Sequence, residues 1–317
     1  MQEAASPGVG GAGSARSLRL CVALLLALAA SLAIVGLFAR GAVSQETRAA
    51  GHFERAHAHN DYEHDRPLLD ALDSGFKSVE ADVYLVDGEL LVAHDPQDVD
   101  PDRTLRSLYL DPLRQRVKEN RGSVYRGDPD YFTLLVDIKS EAEPTYRELD
   151  GQLREYRRMM TKFGPRGVKD GAVTAVVSGN RPREVMQGQR VRYAGYDGRL
   201  SDLDVSTDQK FMPLISDNWM NNFVWQGIGP MPEAEREKLR NIVATAHSHG
   251  QRVRFYATPD RPELPEAREA VWRELQAAGV DHINTDYLQT LESFLLQNDP
   301  RPTEPHVYWS KPAKGRR

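Results

Sequence analysis

The sequence predicts an α/β protein: a single (β/α)8 TIM barrel preceded by an N-terminal transmembrane or signal segment. Three observations lead there. Eight short apolar runs, at 54–59, 78–86, 132–138, 172–178, 191–195, 211–216, 252–257 and 280–285, read as strands. Amphipathic stretches separate several of them, and strands alternating with helices imply parallel pairing and, with eight units, closure into a barrel. Upstream, Leu20–Ala39 is apolar or small throughout, about 20 residues and long enough to cross a bilayer as a helix.

Residues 1–15, rich in Gly, Ala and Ser, cannot bury a core and read as disordered. Residues 16–42 form the membrane-directed segment. Arg16 and Arg19 in front of the apolar run favour an N-terminus left in the cytoplasm. A small-residue exit at Gly41-Ala42 keeps a cleaved signal open beside an uncleaved anchor. Either way residues 50–298 would stand across a membrane, anchored and extracytoplasmic, or secreted or periplasmic after cleavage. The only cysteine, Cys21, lies inside the apolar run, so the exported domain has no disulfide and relies on core burial. The net charge of -5 excludes the global basic field of a nucleic-acid-binding protein. The basic ending of residues 299–317 reads as a tail.

Within the barrel, Leu239, Ile242, Val243 and Ala246 keep helical spacing between Pro232 and Gly250; Val271, Leu275 and Ala278 do so before Gly279. Asp87-Gly88 separates Val79–Val86 from Leu90–Ala93 and predicts a tight hairpin that folds His94 back toward Glu80 and Asp82. Residues 196–231 lack helix periodicity and contain Trp219, Phe223 and Trp225, which suits a long loop shaping a cleft. Residues 100–130 are a second such region.

Strand alternation places Glu80 and Asp82 on one face and Val79, Ala81 and Val83 on the other. On a barrel strand the apolar set packs against helices and the carboxylates point inward. Two buried carboxylates repel each other and resist desolvation; a divalent cation with oxygen ligands, Ca or Mg, resolves both problems. His57 and His59 share a face if residues 56–60 are extended, and His94 offers a further imidazole. Two histidines flanking a substrate can divide base and acid roles. His247 and His249 close a helix, where cations suit the dipole, and read as structural.

The order His59-Asn60-Asp61-Tyr62, then Glu80-Ala81-Asp82, then Leu91-Val92-Ala93-His94-Asp95 resembles the superfamily of phosphatidylinositol-specific phospholipases C and glycerophosphodiester phosphodiesterases. Leu134–Lys139 is similar to its third-strand acid followed by lysine, and Gly279–Asp286 to the final strand of the glycerophosphodiesterases. The resemblance implies a metal-dependent phosphoric diester hydrolase acting on a glycerophosphodiester or phospholipid headgroup. His59 and His94 match the catalytic pair; Glu80, Asp82 and Asp137 match metal ligands; Asn60 matches an amide ligand of the phospholipase branch. Lys139, on the face of Asp137, is placed to meet phosphate.

The chain also departs from the pattern. His-Arg-Gly is absent, which leaves His57 or His59 open as the first catalytic histidine and removes a phosphate-gripping arginine. Arg66 is the candidate substitute. Asp137 replaces a more common Glu, and Tyr256 stands where Trp is common, on the substrate side. Asn218 and Trp219, after the sixth strand, are candidates for lining the cleft. The missing arginine keeps two alternatives in view: a catalytically inactive barrel binding a phospholipid headgroup, and a sphingomyelinase D-like lyase using the same residues.

Overall fold

The computed structural model describes residues 52–128, 130–203 and 208–299. Residues 1–15, the apolar run with Cys21, and residues 300–317 lie outside the described residues. Among those described, no helix is long and apolar enough to cross a membrane.

The eight predicted strands form. They are β1 (Phe53–Ala58), β2 (Phe76–Val86), β4 (Phe132–Ile138), β7 (Val173–Gly179), β8 (Ala194–Gly198), β9 (Leu214–Asn218), β10 (Arg252–Tyr256) and β11 (Ile283–Thr285). Each lies beside its sequence neighbour in a parallel sheet, β11 returns to pair with β1, and the ring closes through a bridge between Arg254 and His282. The closure is slight, and so is the β8–β9 seam, where only Asp197↔Leu214 and Gly198↔Ile215 pair. Three strands differ by three residues at a boundary from the sequence reading: 191–195 becomes Ala194–Gly198, 211–216 becomes Leu214–Asn218, and 280–285 shortens to Ile283–Thr285. Gly195, Gly198 and Pro213 blunt the apolar signal of the first two, and only ladder pairing shows where each strand runs.

The Asp87-Gly88 hairpin is present, joining β2 to antiparallel β3 (Glu89–Val92). Asp87 has φ 49° and Gly88 φ 87°. Positive φ at both central residues is what a tight two-residue hairpin needs to match strand twist. A second hairpin, β5 (Lys162–Gly164) with β6 (Gly167–Lys169), escapes the sequence pattern because three-residue strands carry no period.

The helices are α1 (Leu69–Asp73), α2 (Asp111–Glu119), α3 (Ala142–Glu155), α4 (Arg183–Gly188), α5 (Trp219–Asn222), α6 (Glu233–Ser248), α7 (Pro265–Ala278) and α8 (Leu288–Asn298). α6 and α7 follow the predicted spacing: Leu239, Val243 and Ala246 are buried on one, Val271 and Leu275 on the other, and Gly279 ends α7 at φ 83°. Region 100–130 is not a plain loop. A turn of π-helix at Arg106–Leu110 runs into α2, burying Tyr109, Leu110 and Leu113.

Alternation sorts the side chains as expected. Val79, Ala81 and Val83 join the main core between strands and helices, whereas Glu80 and Asp82 face inward. Burying one Val- or Leu-sized side chain contributes about 1.5–3 kcal/mol, enough to fix strand register against a one-residue slip that would expose all three. Inside the ring, Leu135, Val176 and Leu214 form a separate small apolar layer. Pairing sets Glu80 opposite Leu135, and Asp82 opposite Asp137, which lies opposite Ser178. The acidic layer therefore lies at the carboxyl ends of β4 and β7, the end of a barrel where ligands bind.

Candidate active site

β2 and β4 bring Glu80, Asp82 and Asp137 together, with one carboxylate oxygen of each within 4.8 Å of the others. The backbone allows this closeness at one point in particular. Gly179 has φ 67°, and a Cβ there would fall 2.1 Å from Asp137 Oδ1.

Two cations hold the acids in place. Lys139 Nζ lies 3.0 Å from Asp82 Oδ2 and 3.5 Å from Asp137 Oδ1. Arg254 Nη2, from across the barrel, donates to Glu80 Oε2, and its Nε donates to Asn284 Oδ1 at 2.9 Å. Three carboxylates against two cations leave one net negative charge. Burial would raise Glu80, yet the Arg254 charge and the His57 contact hold it well below the usual carboxylate range. Burial and the Glu80 charge raise Asp82 against the pull of Lys139, and push Asp137 up to about 6. Asp82 Oδ1 is buried with no hydrogen-bond partner. A buried acceptor left unpaired costs about 1–3 kcal/mol, so a close-set acidic triad with an unpaired oxygen suits an oxygen-liganded divalent cation.

The histidines separate by environment. His57 is buried, with Nδ1 2.7 Å from Ser78 Oγ and Nε2 3.3 Å from Glu80 Oε2. Burial, then the Arg254 charge, lowers it to about 4. It is a neutral, walled-in ring that orients Glu80, which corrects its inclusion among the catalytic residues. His59 stands just past β1 at the cleft, its Nδ1 2.8 Å from Asp286 Oδ1. Burial would lower it, but the Asp286 hydrogen bond and Glu80 charge raise it above its ordinary value. With Nδ1–H held by a carboxylate, Nε2 is left as the acceptor facing the cleft. His94 is brought back by the hairpin: its Nδ1 is 3.2 Å from Asp82 Oδ2 and its carbonyl accepts from Tyr84 at 3.0 Å. Tyr62 Oη joins the group, 2.7 Å from Asp82 Oδ2, 3.0 Å from Asn60 Oδ1 and 3.1 Å from His94 Nδ1. Asn60 therefore adjoins the triad through Tyr62, at φ 46°.

The remaining expectations divide. Tyr256 ends β10 with its ring 5.8 Å from both the Arg199 and Arg254 guanidinium groups, at the barrel mouth. Trp219 does not line the cleft: it is fully buried against Phe223 and Phe255, with Nε1 donating to the Trp225 carbonyl at 3.1 Å. Asn218 is taken up in capping α5, its Oδ1 accepting from Met220 N at 2.8 Å. Arg66 is exposed and bound to Asp70 and Asp73, so it does not replace the missing arginine. The aromatic content of 196–231 signals core, not cleft.

Sequence reasoning gave no role of their own to Arg254, Asp286 and Tyr62. Arg254 carried a usable signal, a charge at an inward position of an apolar strand, alternating with Val253 and Phe255. Asp286 ends the last motif but meets His59 only because β11 pairs with β1.

Behind this layer, Asp61 fixes the loop after β1, accepting from Leu68 N at 2.6 Å and Tyr109 Oη at 2.8 Å. Burial pushes its carboxyl up to about 7 from 3.8. The folded state then binds the extra proton between those values, and this group's contribution to stability falls as pH rises through them, by about 4 kcal/mol in all. Asp61→Asn should match the wild type at about pH 3.5 and exceed it increasingly up to about pH 7, levelling off above, measured as unfolding free energy in denaturant. A pH-independent difference would refute the shift. His57, lowered to about 4, has the opposite slope but cancels between the two proteins.

Residues 52–197 match the AIM6-like phosphodiesterase domain, and residues 252–289 match the glycerophosphoryl diester phosphodiesterase family. The first span carries the acidic triad and the second carries Arg254, Asn284 and Asp286, and together they place the chain in the phospholipase C-like and glycerophosphodiesterase superfamily. Within it, altered inheritance of mitochondria protein 6 of Eremothecium gossypii is 31% identical over 290 residues, covering 80% of this chain and 73% of that protein. The chain belongs to that protein's family. A homolog in Arthroderma benhamiae is 28% identical, over 75% of this chain and 82% of its own length. Among solved structures, a Parabacteroides distasonis glycerophosphoryl diester phosphodiesterase is similar with a TM-score of 0.48 at 12% identity, over 82% of this chain and 94% of that one. An Oleispira antarctica phosphodiesterase, solved with the product sn-glycerol-3-phosphate, gives 0.46 at 14% identity, over 78% and 98%.

Proposed function

We propose that this chain is a metal-dependent phosphodiesterase that cleaves a glycerophosphodiester or phospholipid headgroup. The observation that carries this reading is the convergence of Glu80, Asp82 and Asp137 around the unpaired Asp82 Oδ1. These three would hold the ion, Ca or Mg, with Asn60 adjoining. Bound there, a divalent cation neutralises charge growing on the non-bridging oxygens of phosphate. It also turns the net negative site into a net positive one, so that a phosphodiester anion is attracted.

The chain's own groups do the rest. Lys139, partly exposed above Asp82 and Asp137, meets a phosphate oxygen. His59, held by Asp286, removes the proton from the attacking hydroxyl, whether a substrate hydroxyl or water. The new P–O bond forms as the P–O bond to the leaving alcohol breaks, and His94, held by Asp82, gives that alcohol its proton. The choice of base and acid follows the resemblance, since both imidazoles are paired with carboxylates.

The test uses chelator-treated protein and a glycerophosphodiester, whose leaving alcohol needs a proton and whose free hydroxyl can attack. Added Ca or Mg should restore turnover, and Glu80→Gln, Asp137→Asn and His94→Ala should each lower it by about 10²-fold or more. Full turnover in chelator, or in Glu80→Gln, would overturn the metal-dependent reading. A product screen for cyclic phosphate tells whether a substrate hydroxyl or water attacks. We also read residues 16–42 as a membrane anchor or signal that places the barrel outside the cytoplasm; the length of the apolar run and Arg16 and Arg19 support this.

A further inference from the structure

The chain is acidic overall, with a net charge of -5, but one stretch reverses the sign. Between Tyr156 and Ala172 it carries Arg157, Arg158, Lys162, Arg166 and Lys169 against Asp170 alone. All five bases are exposed, as is Arg190 in the loop before β8. None of the six has an ion pair among the described residues; Arg157 Nη1 donates only to the Arg154 carbonyl, at 3.2 Å.

The fold fixes this charge on one end of the barrel. The stretch follows α3 and precedes β7, and it contains the β5–β6 hairpin. Phe163 exchanges two backbone hydrogen bonds of 2.9 Å with Arg192, just before β8, and Thr161 N donates to the Val173 carbonyl at 2.7 Å, where β7 starts. A Cβ on Gly171 would stand 2.4 Å from the Met160 carbonyl carbon, so the chain passes there only as glycine. The hairpin is thereby pinned to the amino ends of β7 and β8, opposite the mouth that holds Glu80, Asp82 and Asp137. Its aromatic groups face inward: Tyr156 and Phe163 are buried, Phe163 with the Arg192 guanidinium 5.8 Å from its ring.

Such a surface selects among anionic partners. Single-stranded nucleic acid needs exposed aromatic faces for its bases, and a protein partner needs an apolar anchor; the hairpin offers neither. A bilayer with anionic lipid needs only clustered Lys and Arg close to its plane. β1 opens at this same end, at Phe53, and residues 40–51 separate His52 from the apolar run Leu20–Ala39. Fully extended, that connection spans at most about 40 Å. Around β1 and β2 the same end is acidic, with Glu54, Asp128 and Asp130 gathered on buried Lys77, so the β7–β8 side is the one that suits anionic lipid. At the mouth, Lys139, Arg183 and Arg199 are each paired with a carboxylate.

We propose that the β5–β6 end of the barrel is a docking surface for an anionic bilayer, and that in the docked state the mouth opens away from the lipid, toward water-borne diesters. The surface stands on the hairpin and its unpaired cations. The tether rests on residues 16–42 inserting in that bilayer, and the substrate class rests on the diesterase reading above.

Two measurements test this, both on the full chain reconstituted with phosphatidylcholine vesicles, pure or mixed equally with phosphatidylglycerol. The first places a donor dye on one cysteine in the Cys21→Ser background, at Pro165→Cys in the hairpin or Ile228→Cys in the loop by the mouth, with acceptor dye on lipid headgroups. In mixed vesicles energy transfer should be greater from Pro165→Cys than from Ile228→Cys. The excess should vanish in about 1 M salt, where charges are screened beyond about 3 Å. Exchanging Lys162→Gln, Arg166→Gln and Lys169→Gln together should abolish it, lowering the docked-to-undocked ratio by on the order of 10²-fold, with thermal melting confirming that the variant is folded. The second measurement, with Ca or Mg present, compares cleavage of added glycerophosphocholine with headgroup release from the vesicle's own phosphatidylcholine; the soluble diester should be cleaved and the vesicle lipid left intact.

Equal transfer from the two positions, greater transfer from Ile228→Cys, an excess untouched by the triple exchange, or a chain that stays with neither vesicle would overturn the docking surface. Binding of polyglutamate through the hairpin in place of lipid would overturn it too, assigning the patch to an acidic protein. Headgroup release from vesicle lipid as fast as cleavage of the soluble diester would overturn the orientation. The expected transfer with neither substrate cleaved would keep the surface and reject the diesterase.

Discussion

His59→Ala lowers kcat on a phosphodiester by about 10²–10⁴-fold, the usual contribution of a positioned general base, while its melting temperature stays near that of the wild type. The stability expectation follows from place: His59 lies past the end of β1, partly exposed, and its side-chain bond is to an exposed carboxylate. His57→Ala behaves in the opposite sense. It removes a buried ring from between Ser78 and Glu80, and shows chiefly as a lower melting temperature. The pH profile supplies a second reading. A base works only when neutral; without a cation, and against the lowering by burial, the Asp286 hydrogen bond and the Glu80 charge raise His59, and the acid limb of the activity profile reads what remains of those influences. Asp286→Asn removes one of those raising influences and moves the acid limb to lower pH. An unshifted limb in Asp286→Asn, or a larger rate loss in His57→Ala than in His59→Ala, would reverse the assignment.

Arg254→Met carries the largest expected loss of stability. Arg254 and Glu80 are both buried, 3% and 4% exposed, and face each other across the ring. Removing one partner of such a pair costs about 3–5 kcal/mol, because the other charge is left uncompensated. In a domain of this size that corresponds to a drop of about 10 °C in thermal melting. Adding Glu80→Gln should recover much of the loss, since an amide tolerates burial without a cation. A double-mutant cycle over the two positions therefore returns a coupling energy well above about 1 kcal/mol. Strict additivity would mean that Glu80 finds its compensation elsewhere, from His57 or a bound cation.

The barrel was legible in the sequence because its signal is local. Period-two runs such as Val79–Val83 and the helical stripe of α6 show themselves within a few residues, and Asp87-Gly88 announces its hairpin by conformational preference alone. The acidic triad was legible for the same reason: Glu80 and Asp82 share a strand, and Asp137 recurs in the next one. What escaped depends on closure. Arg254 meets Glu80 across the ring, and Asp286 meets His59 where β11 pairs with β1, only once the barrel has closed. Trp219 misled because an aromatic in an aperiodic segment suits a cleft and a core equally well; only the packing of Phe223 and Phe255 around it decides.

The bridge from Arg254 to His282 is the stitch between the first and last parts of the sheet, and the same arginine grips Glu80 and Asn284. Backbone continuity of the cylinder and charge balance at its centre thus share one residue. A cation held by the triad would compete with Arg254 for Glu80, so amide hydrogen exchange along residues 252–256 and 282–285 would report site occupancy, readable without any substrate.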